Sequence, residues 1–322
     1  MINFRYHIVS LTAVFLALAV GIAMGTTFLN KATVDQLKHQ IRSAEQGIDK
    51  TKQANQDLKD DLGRYQRSDA ALTKDGLAGV GGQLTDLPVL FVVADGSDGD
   101  TLAALKQAID EAGADDRGTL VVTDSMRADS GKDTELATAL EDPTETDRSV
   151  LQAKVATVFA TALDNAAKRK ATSKAEAPAA IQRLLDAGFL RFDPADGAPE
   201  TTDGTTVLSG GGYRYVFVSG PDPKAPDADF LLPVLRAMSA DGPAPVVLAS
   251  AALGTDAETD RTLVVGPVRN DPDLVDDVST VDDLERGVGL IATVYAVRDL
   301  DLDRRGHYGL GDGVSGLLPT IP

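Results

Sequence analysis

Cysteine and tryptophan are absent from this 322-residue chain, and histidine occurs only as His7, His39 and His307. Without cysteine there are no disulfides and no thiolate metal sites, so a domain outside the cytoplasm must rely on core burial. Methionine is nearly as scarce: Met1, Met24, Met126 and Met238 lie far apart, and no Met-rich or His-rich tract offers a soft-metal site. Positive charge is also in short supply. Lys and Arg total 31 against 49 Asp and Glu, a net charge of -18, which argues against nucleic acid or anionic lipid as partners because both need a basic footprint.

The motifs of common catalytic loops are missing too. No Gly-x-Gly-x-x-Gly follows the first apolar strand, and there is neither a Walker motif nor a Gly-x-Ser-x-Gly elbow. Gly210-Gly211-Gly212 precedes a strand rather than a helix and reads as a linker. His307 sits among glycines with no second imidazole near it, which favours loop packing over acid-base work. No catalytic, cofactor-binding or metal residue is assigned, and the chain reads as a non-enzyme.

What is present begins with Ile8–Leu29, a run without charge or proline whose length at ~1.5 Å per residue makes ~33 Å, one hydrocarbon thickness. It reads as a retained single-pass anchor. A cleaved signal is the alternative, since Ala23-Met24-Gly25 has the small-x-small pattern, but signal cores usually run ~7 to 15 residues. Arg5 precedes the span and Lys31 and Lys38 follow it, a weak bias. Residues 1–7 are read as a cytoplasmic tail, with the acidic bulk outside. Ala13, Ala17, Gly21 and Gly25 form a stripe of small residues on which two spans can pack closely.

From 33 to 68 the pattern changes to a heptad repeat. With Val34 at position a, the seam reads Val34, Leu37, Ile41, Ala44, Ile48, Thr51, Asn55, Leu58, Leu62 and Tyr65 in unbroken 3-4 spacing. Asn55 at an a position fixes register at some cost in stability, and Ala44 and Thr51 weaken the seam. Such a coil pairs with a second copy or exchanges partners. A spacer helix that only dimerises with itself is the plainer alternative.

Residues 69–86, with four glycines between Gly76 and Gly82, are expected to form a linker. An α/β domain is then expected over 87–305. Leu87–Ala94 and Thr119–Thr123 are apolar on both faces, as central parallel strands are, and the helix expected over 101–112 joins them into a βαβ unit. Helices expected over 149–163 and 178–187 form a helical insertion at about 141–190, a lid or an arm. Strands at 213–219, 245–249 and 263–268 and a helix at 229–238 continue the alternation. Ser279-Thr280 is expected to cap a helix running through Tyr295, and 306–322 is a glycine-rich tail. The fold class is therefore α/β with a mostly parallel, doubly wound sheet of flavodoxin or Rossmann type, behind a transmembrane helix and a coiled-coil stalk.

In such sheets ligands bind beyond the carboxyl ends of the strands, which singles out Asp95 to Asp100, Asp124, Ser219 to Asp222, and Ser250. Asp95, Asp98 and Asp100 have the wrong order for an EF-hand loop, and Asp98 or Asp100 is more simply a helix cap.

Four stretches together carry a family resemblance: the N-terminus from Phe4 to Gly25, the heptad stalk, Val278-Ser-Thr-Val-Asp-Asp283, and Gly306-His-Tyr-Gly-Leu-Gly-Asp-Gly313. In these the chain resembles the actinobacterial MctB family along its whole length. The resemblance implies two different roles. One, from the label copper transporter or copper transport outer membrane protein, is copper homeostasis through an oligomeric envelope channel, with the outer membrane as location. The other, from the SteB cell-separation members, is an inner-membrane protein working with a SteA-like partner, whose coiled coil engages a secreted peptidoglycan hydrolase. Scarce copper ligands and an anchor-like span favour the second, with copper kept only as the family label. A ligand-binding or vestigial enzyme domain is a third reading.

Overall fold

The computed structural model describes residues 4–127, 129–169, 179–220, 227–251 and 265–320, with the side chains of 26–33, 72 and 227–229 outside that description. The chain divides into two units, residues 1–67 and 68–322.

The first unit is helical from Phe4, the start of α1 (Phe4–Gly79). The first proline of the chain is Pro88, so nothing in this stretch removes a backbone donor, and Gln53–Asp57 and Gln56–Asp60 hydrogen bonds brace the polar face one turn apart. Phe4–Gly25 is apolar and long enough to cross a membrane, with a mean hydropathy of 2.4. The side chains of 26–29, the end of the expected span, lie outside the description.

Residues 69–79, expected to begin a linker, instead continue α1. The physical reason is packing. A Cβ on Gly76 would overlap Ile291, so glycine here admits a neighbouring helix, and the helix ends only where Gly81 and Gly82 follow, Gly82 with φ +76°.

The second unit is a seven-stranded sheet in the order β3-β2-β1-β4-β5-β6-β7. Its strands are β1 (Pro88–Ala94), β2 (Asp115–Val122), β3 (Leu190–Asp193), β4 (Arg214–Ser219), β5 (Val246–Ser250), β6 (Ser279–Val281) and β7 (His307–Tyr308). Only β3 is antiparallel, pairing Leu190 with Val122 along the edge of β2. The helices are α2 (Gly99–Glu111), α3 (Asp133–Ala139), α4 (Arg148–Lys168), α5 (Ala179–Asp186), α6 (Gly204–Leu208), α7 (Asp227–Ser239), α8 (Val265–Asn270) and α9 (Gly287–Leu300). A doubly wound α/β fold is what the two-sided apolar strands predict, and it is what forms.

Alternation along the strands builds two cores. Leu90, Val92, Tyr215, Phe217, Val246 and Leu248 face α3 to α8, while Val89, Phe91, Val93, Val216, Val218 and Val247 face α2, α9 and the chain just after α1. On the first side Phe159 of α4 meets Phe230 of α7 with ring centroids 5.5 Å apart. The helices expected as a lid or arm are therefore part of the layer: Leu151, Val155, Phe159, Leu163, Ile181 and Leu184 are buried.

Two local expectations are corrected. Val265–Asn270 is helix, not strand, because Pro267 cannot donate to a ladder but is tolerated in a first helical turn; residues 263 and 264 lie outside the description. Ser279-Thr280 is not a helix cap but strand β6, with Thr280 paired to Leu248, and α9 starts only at Gly287. β-branched Thr280 and Val281 suit a fully buried strand better than a helix start.

Candidate functional site

Three places carry chemistry, and the first is where sequence reasoning pointed. The strand order reverses between β1 and β4, and Asp95, Ser97 and Gly220 lie at the carboxyl ends of those two strands. Ser97 Oγ donates to Ala94 O at 2.8 Å, and Gly220 faces the Ser97 backbone. Asp98 caps α2: its carboxylate accepts from the Thr101 hydroxyl at 2.6 Å and from the Thr101 amide at 3.2 Å. Those bonds, the hydroxyl's first, hold the Asp98 carboxyl below the usual range. The amides that would cradle a phosphate are thus already engaged by a carboxylate, with Asp100 adding a second negative charge in the first turn.

Asp124 opens a 3-10 turn beside β2, and Ser250 ends β5, where its carbonyl accepts from Leu284 N. Residues 221, 222 and 252–264 lie outside the description, and so do residues 170–178 within the expected insertion.

The second place was not foreseen. Asp282, just beyond β6, is buried and ion-paired to Arg269 of α8 at 2.7 Å. It also accepts from Leu310 N at 2.7 Å and Gly311 N at 3.1 Å, so one carboxylate fastens the C-terminal glycine segment to the sheet. Arg269 donates further to Thr280 Oγ1 at 2.8 Å, Tyr308 O at 3.0 Å and Asp312 O at 3.1 Å.

His307 completes this network. Its Nε2 lies 2.9 Å from Val275 O and its Nδ1 2.9 Å from Thr280 Oγ1. A carbonyl only accepts, so Nε2 carries the proton and Nδ1 accepts from Thr280, which defines one neutral tautomer. Burial pushes the His307 pKa down, and the bond to Val275 opposes it.

The signal that could have found this network is the spacing of Gly309, Gly311 and Gly313. A Cβ on Gly309 would overlap the Asp282 carboxylate, and one on Gly311 would stand 2.8 Å from it. Gly309 and Gly311 are bare because a buried acid passes there, while Gly313 faces the stem of Arg269.

The third place is the α1 surface. Among the seam residues, Val34, Leu37, Ile41, Ile48, Leu58, Leu62 and Tyr65 are all exposed in the single chain, Ile41 and Ile48 each at 54%. Ala44, Thr51 and Asn55 are exposed beside them, and Thr51 Oγ1 donates to Gly47 O at 2.9 Å. Ala13, Ala17 and Gly21 are exposed and Gly25 half-buried, with nothing within 4 Å of a Cβ at either glycine.

Met126 and Met238 are buried in the apolar core, His7 and His39 stand exposed on α1, and both His307 nitrogens are engaged. Among the described residues no group of three or more His, Cys, Asp or Glu is placed to hold a metal ion.

The glycine-bearing C-terminal segment, the α/β sheet and the long N-terminal helix together are matched by one family over residues 1–319, described as Copper transport outer membrane protein, MctB. The chain belongs to the MctB family. It is 27% identical to the copper transporter MctB of Mycobacterium tuberculosis (strain ATCC 25618 / H37Rv) over 328 aligned residues, covering 97% of this chain and 98% of that protein. Proteins of the same name from Mycobacterium tuberculosis (strain CDC 1551 / Oshkosh) and Mycobacterium bovis (strain ATCC BAA-935 / AF2122/97) match to the same extent. The MctB match includes both ends of the chain, and therefore both the apolar helix and the segment that Asp282 holds.

Proposed function

We propose that this MctB-family protein is a membrane-anchored, non-enzymatic envelope scaffold. In this reading Phe4–Gly25 is the anchor, the acidic α/β unit lies outside the cytoplasm, and the seam of α1 from Val34 to Tyr65 is offered to another helix. The seam carries the reading. It is a long row of apolar side chains left in water on a single chain, and such rows end up covered by a second helix. Further support comes from the α/β unit. Its distinctive buried polar cluster, Arg269, Asp282 and His307, is spent on holding its own C-terminal segment.

By resemblance to the SteB members, the partner is a secreted peptidoglycan hydrolase, with a SteA-like protein in the same assembly and a second copy of this chain alongside. The test uses the full chain in detergent micelles and a purified secreted wall hydrolase in its inhibited form. The native chain is expected to bind and activate the hydrolase, while a chain with Ile41→Ser and Ile48→Ser does neither. Equal activation by both chains would overturn the reading.

The name copper transporter carried by the relatives supports a second reading, in which copper is cargo and many copies surround a path for it, since a single span cannot line a pore. Copper accumulation that changes on deleting the gene, and is restored by the Ile41→Ser, Ile48→Ser chain, would favour that reading over the scaffold.

A further inference from the structure

We propose that Asp283 is a proton-sensitive latch, seated between β6 and α9, that governs how firmly the last three turns of α1 are held on the α/β unit. Four observations meet at this residue. Its side chain is 1% exposed, yet Oδ2 has no hydrogen-bond partner. Its backbone is left-handed, with φ +64°, so the turn after β6 aims the carboxyl inward at a conformational cost. Its carbonyl is packed against α9 so tightly that a Cβ on Gly289 would overlap it. The start of α9 then touches α1 directly, since a Cβ on Gly287 would overlap Thr73 and one on Gly76 would overlap Ile291. A change in volume or solvation at Asp283 is therefore passed through backbone to the start of α9, and from there to α1 through the contacts of Gly287 with Thr73 and of Gly76 with Ile291.

The charges around it leave Asp283 short of compensation. Arg286, on the same turn, is the cation beside it, at 3.4 Å from Nε to Oδ1 and half exposed. Asp282 and Glu285 flank it in sequence, and Asp69 adds negative charge from α1. Arg269 of α8 is already committed to Asp282. Burial, only partly offset by Arg286, raises the Asp283 pKa to about 6.

The sign follows from linkage. A carboxyl whose pKa is raised in the packed state favours that state while it is protonated. The advantage shrinks as pH rises from the ordinary value of 3.8 and is gone above about 6. Between pH 5 and pH 7.5 the latch equilibrium should therefore weaken by about tenfold.

The experiment is hydrogen exchange on the full chain in micelles at pH 5 and pH 7.5, corrected for intrinsic rates. In the native chain the protection of amides 69–79 is expected to fall by about tenfold at the higher pH, with amides of β1 and β4 unchanged. Asp283→Asn, which keeps the shape, stays neutral and tolerates a left-handed backbone, is expected to hold high protection at both pH values. Asp69→Asn provides a second variant away from the strained turn, and it should move the midpoint to lower pH. Protection of 69–79 that is independent of pH in the native chain, or that falls equally in Asp283→Asn, would overturn the proposal.

Discussion

The Asp282 carboxylate occupies the space that any side chain on Gly309 would need. Gly309 also has φ +125°, a region that only glycine enters freely, so two independent constraints act at one position. Gly309→Ala should cost about 2–4 kcal/mol, combining steric overlap with backbone strain. Gly197→Ala is the control: φ is +76° but nothing lies within 4 Å of the new Cβ, and the expected cost is about 1–2 kcal/mol. Urea denaturation of the two variants compares them, and equal midpoints would remove Asp282 from the account.

Arg269 and Asp282 are both buried, so breaking the pair differs from removing it. Arg269→Met strands a buried carboxylate and should destabilise by about 3–5 kcal/mol. Adding Asp282→Leu removes the stranded charge and should recover part of that loss. Recovery is incomplete because Leu310 N and Gly311 N then have no acceptor. A double-mutant cycle on denaturation midpoints tests this, and an additive result would mean that the pair is not coupled.

The same network shows where sequence reasoning stops. Leu87–Ala94 was legible as a central strand because burial on both faces leaves no polar position in the run, and β1 is buried throughout. β7 was not, since two residues between glycines carry no period, and β3 is too short and polar to declare itself. The role of Asp282 was hidden for a different reason. Its partners come from α8 before it and from the glycine segment after it, and only the fold brings these together. In isolation Ser279-Thr-Val-Asp-Asp looks like a capped helix start, and a preference for caps loses to the burial of Thr280 and Val281 in the sheet.

His307 supplies a pH dependence opposite in sign to that of Asp283. Its pKa is lowered in the folded chain, so the folded state binds fewer protons than the unfolded one below the ordinary value of 6.5. The stability tied to neutral His307 is complete above pH 6.5 and is lost as pH falls toward the folded value. His307→Gln cannot take up a proton in this range. The native chain should therefore lose stability relative to His307→Gln between pH 7.5 and pH 5, measured as the difference in urea midpoints at each pH. A constant difference would mean that the imidazole takes up a proton as readily in the folded chain as in the unfolded one.

Ile41 and Ile48 occupy successive a positions and are each about half exposed, so their loss should scarcely touch the folding of the chain on its own. Serine and isoleucine have similar helix propensities, which keeps α1 helical when both are replaced. The cost falls instead on association. Each isoleucine that a partner helix covers is worth about 1.5–3 kcal/mol, and a seam already weakened by Ala44, Thr51 and Asn55 has little in reserve. Ile41→Ser with Ile48→Ser should leave the stability of the α/β unit, read from its thermal midpoint, within about 0.5 kcal/mol of the native chain. Sedimentation of the full chain in micelles should at the same time change from oligomer to monomer. If the oligomer persists, the contact lies elsewhere, and the stripe of Ala13, Ala17, Gly21 and Gly25 is the next surface to alter. If the α/β midpoint falls as well, the seam is not an independent surface, and the scaffold reading loses the observation that carries it.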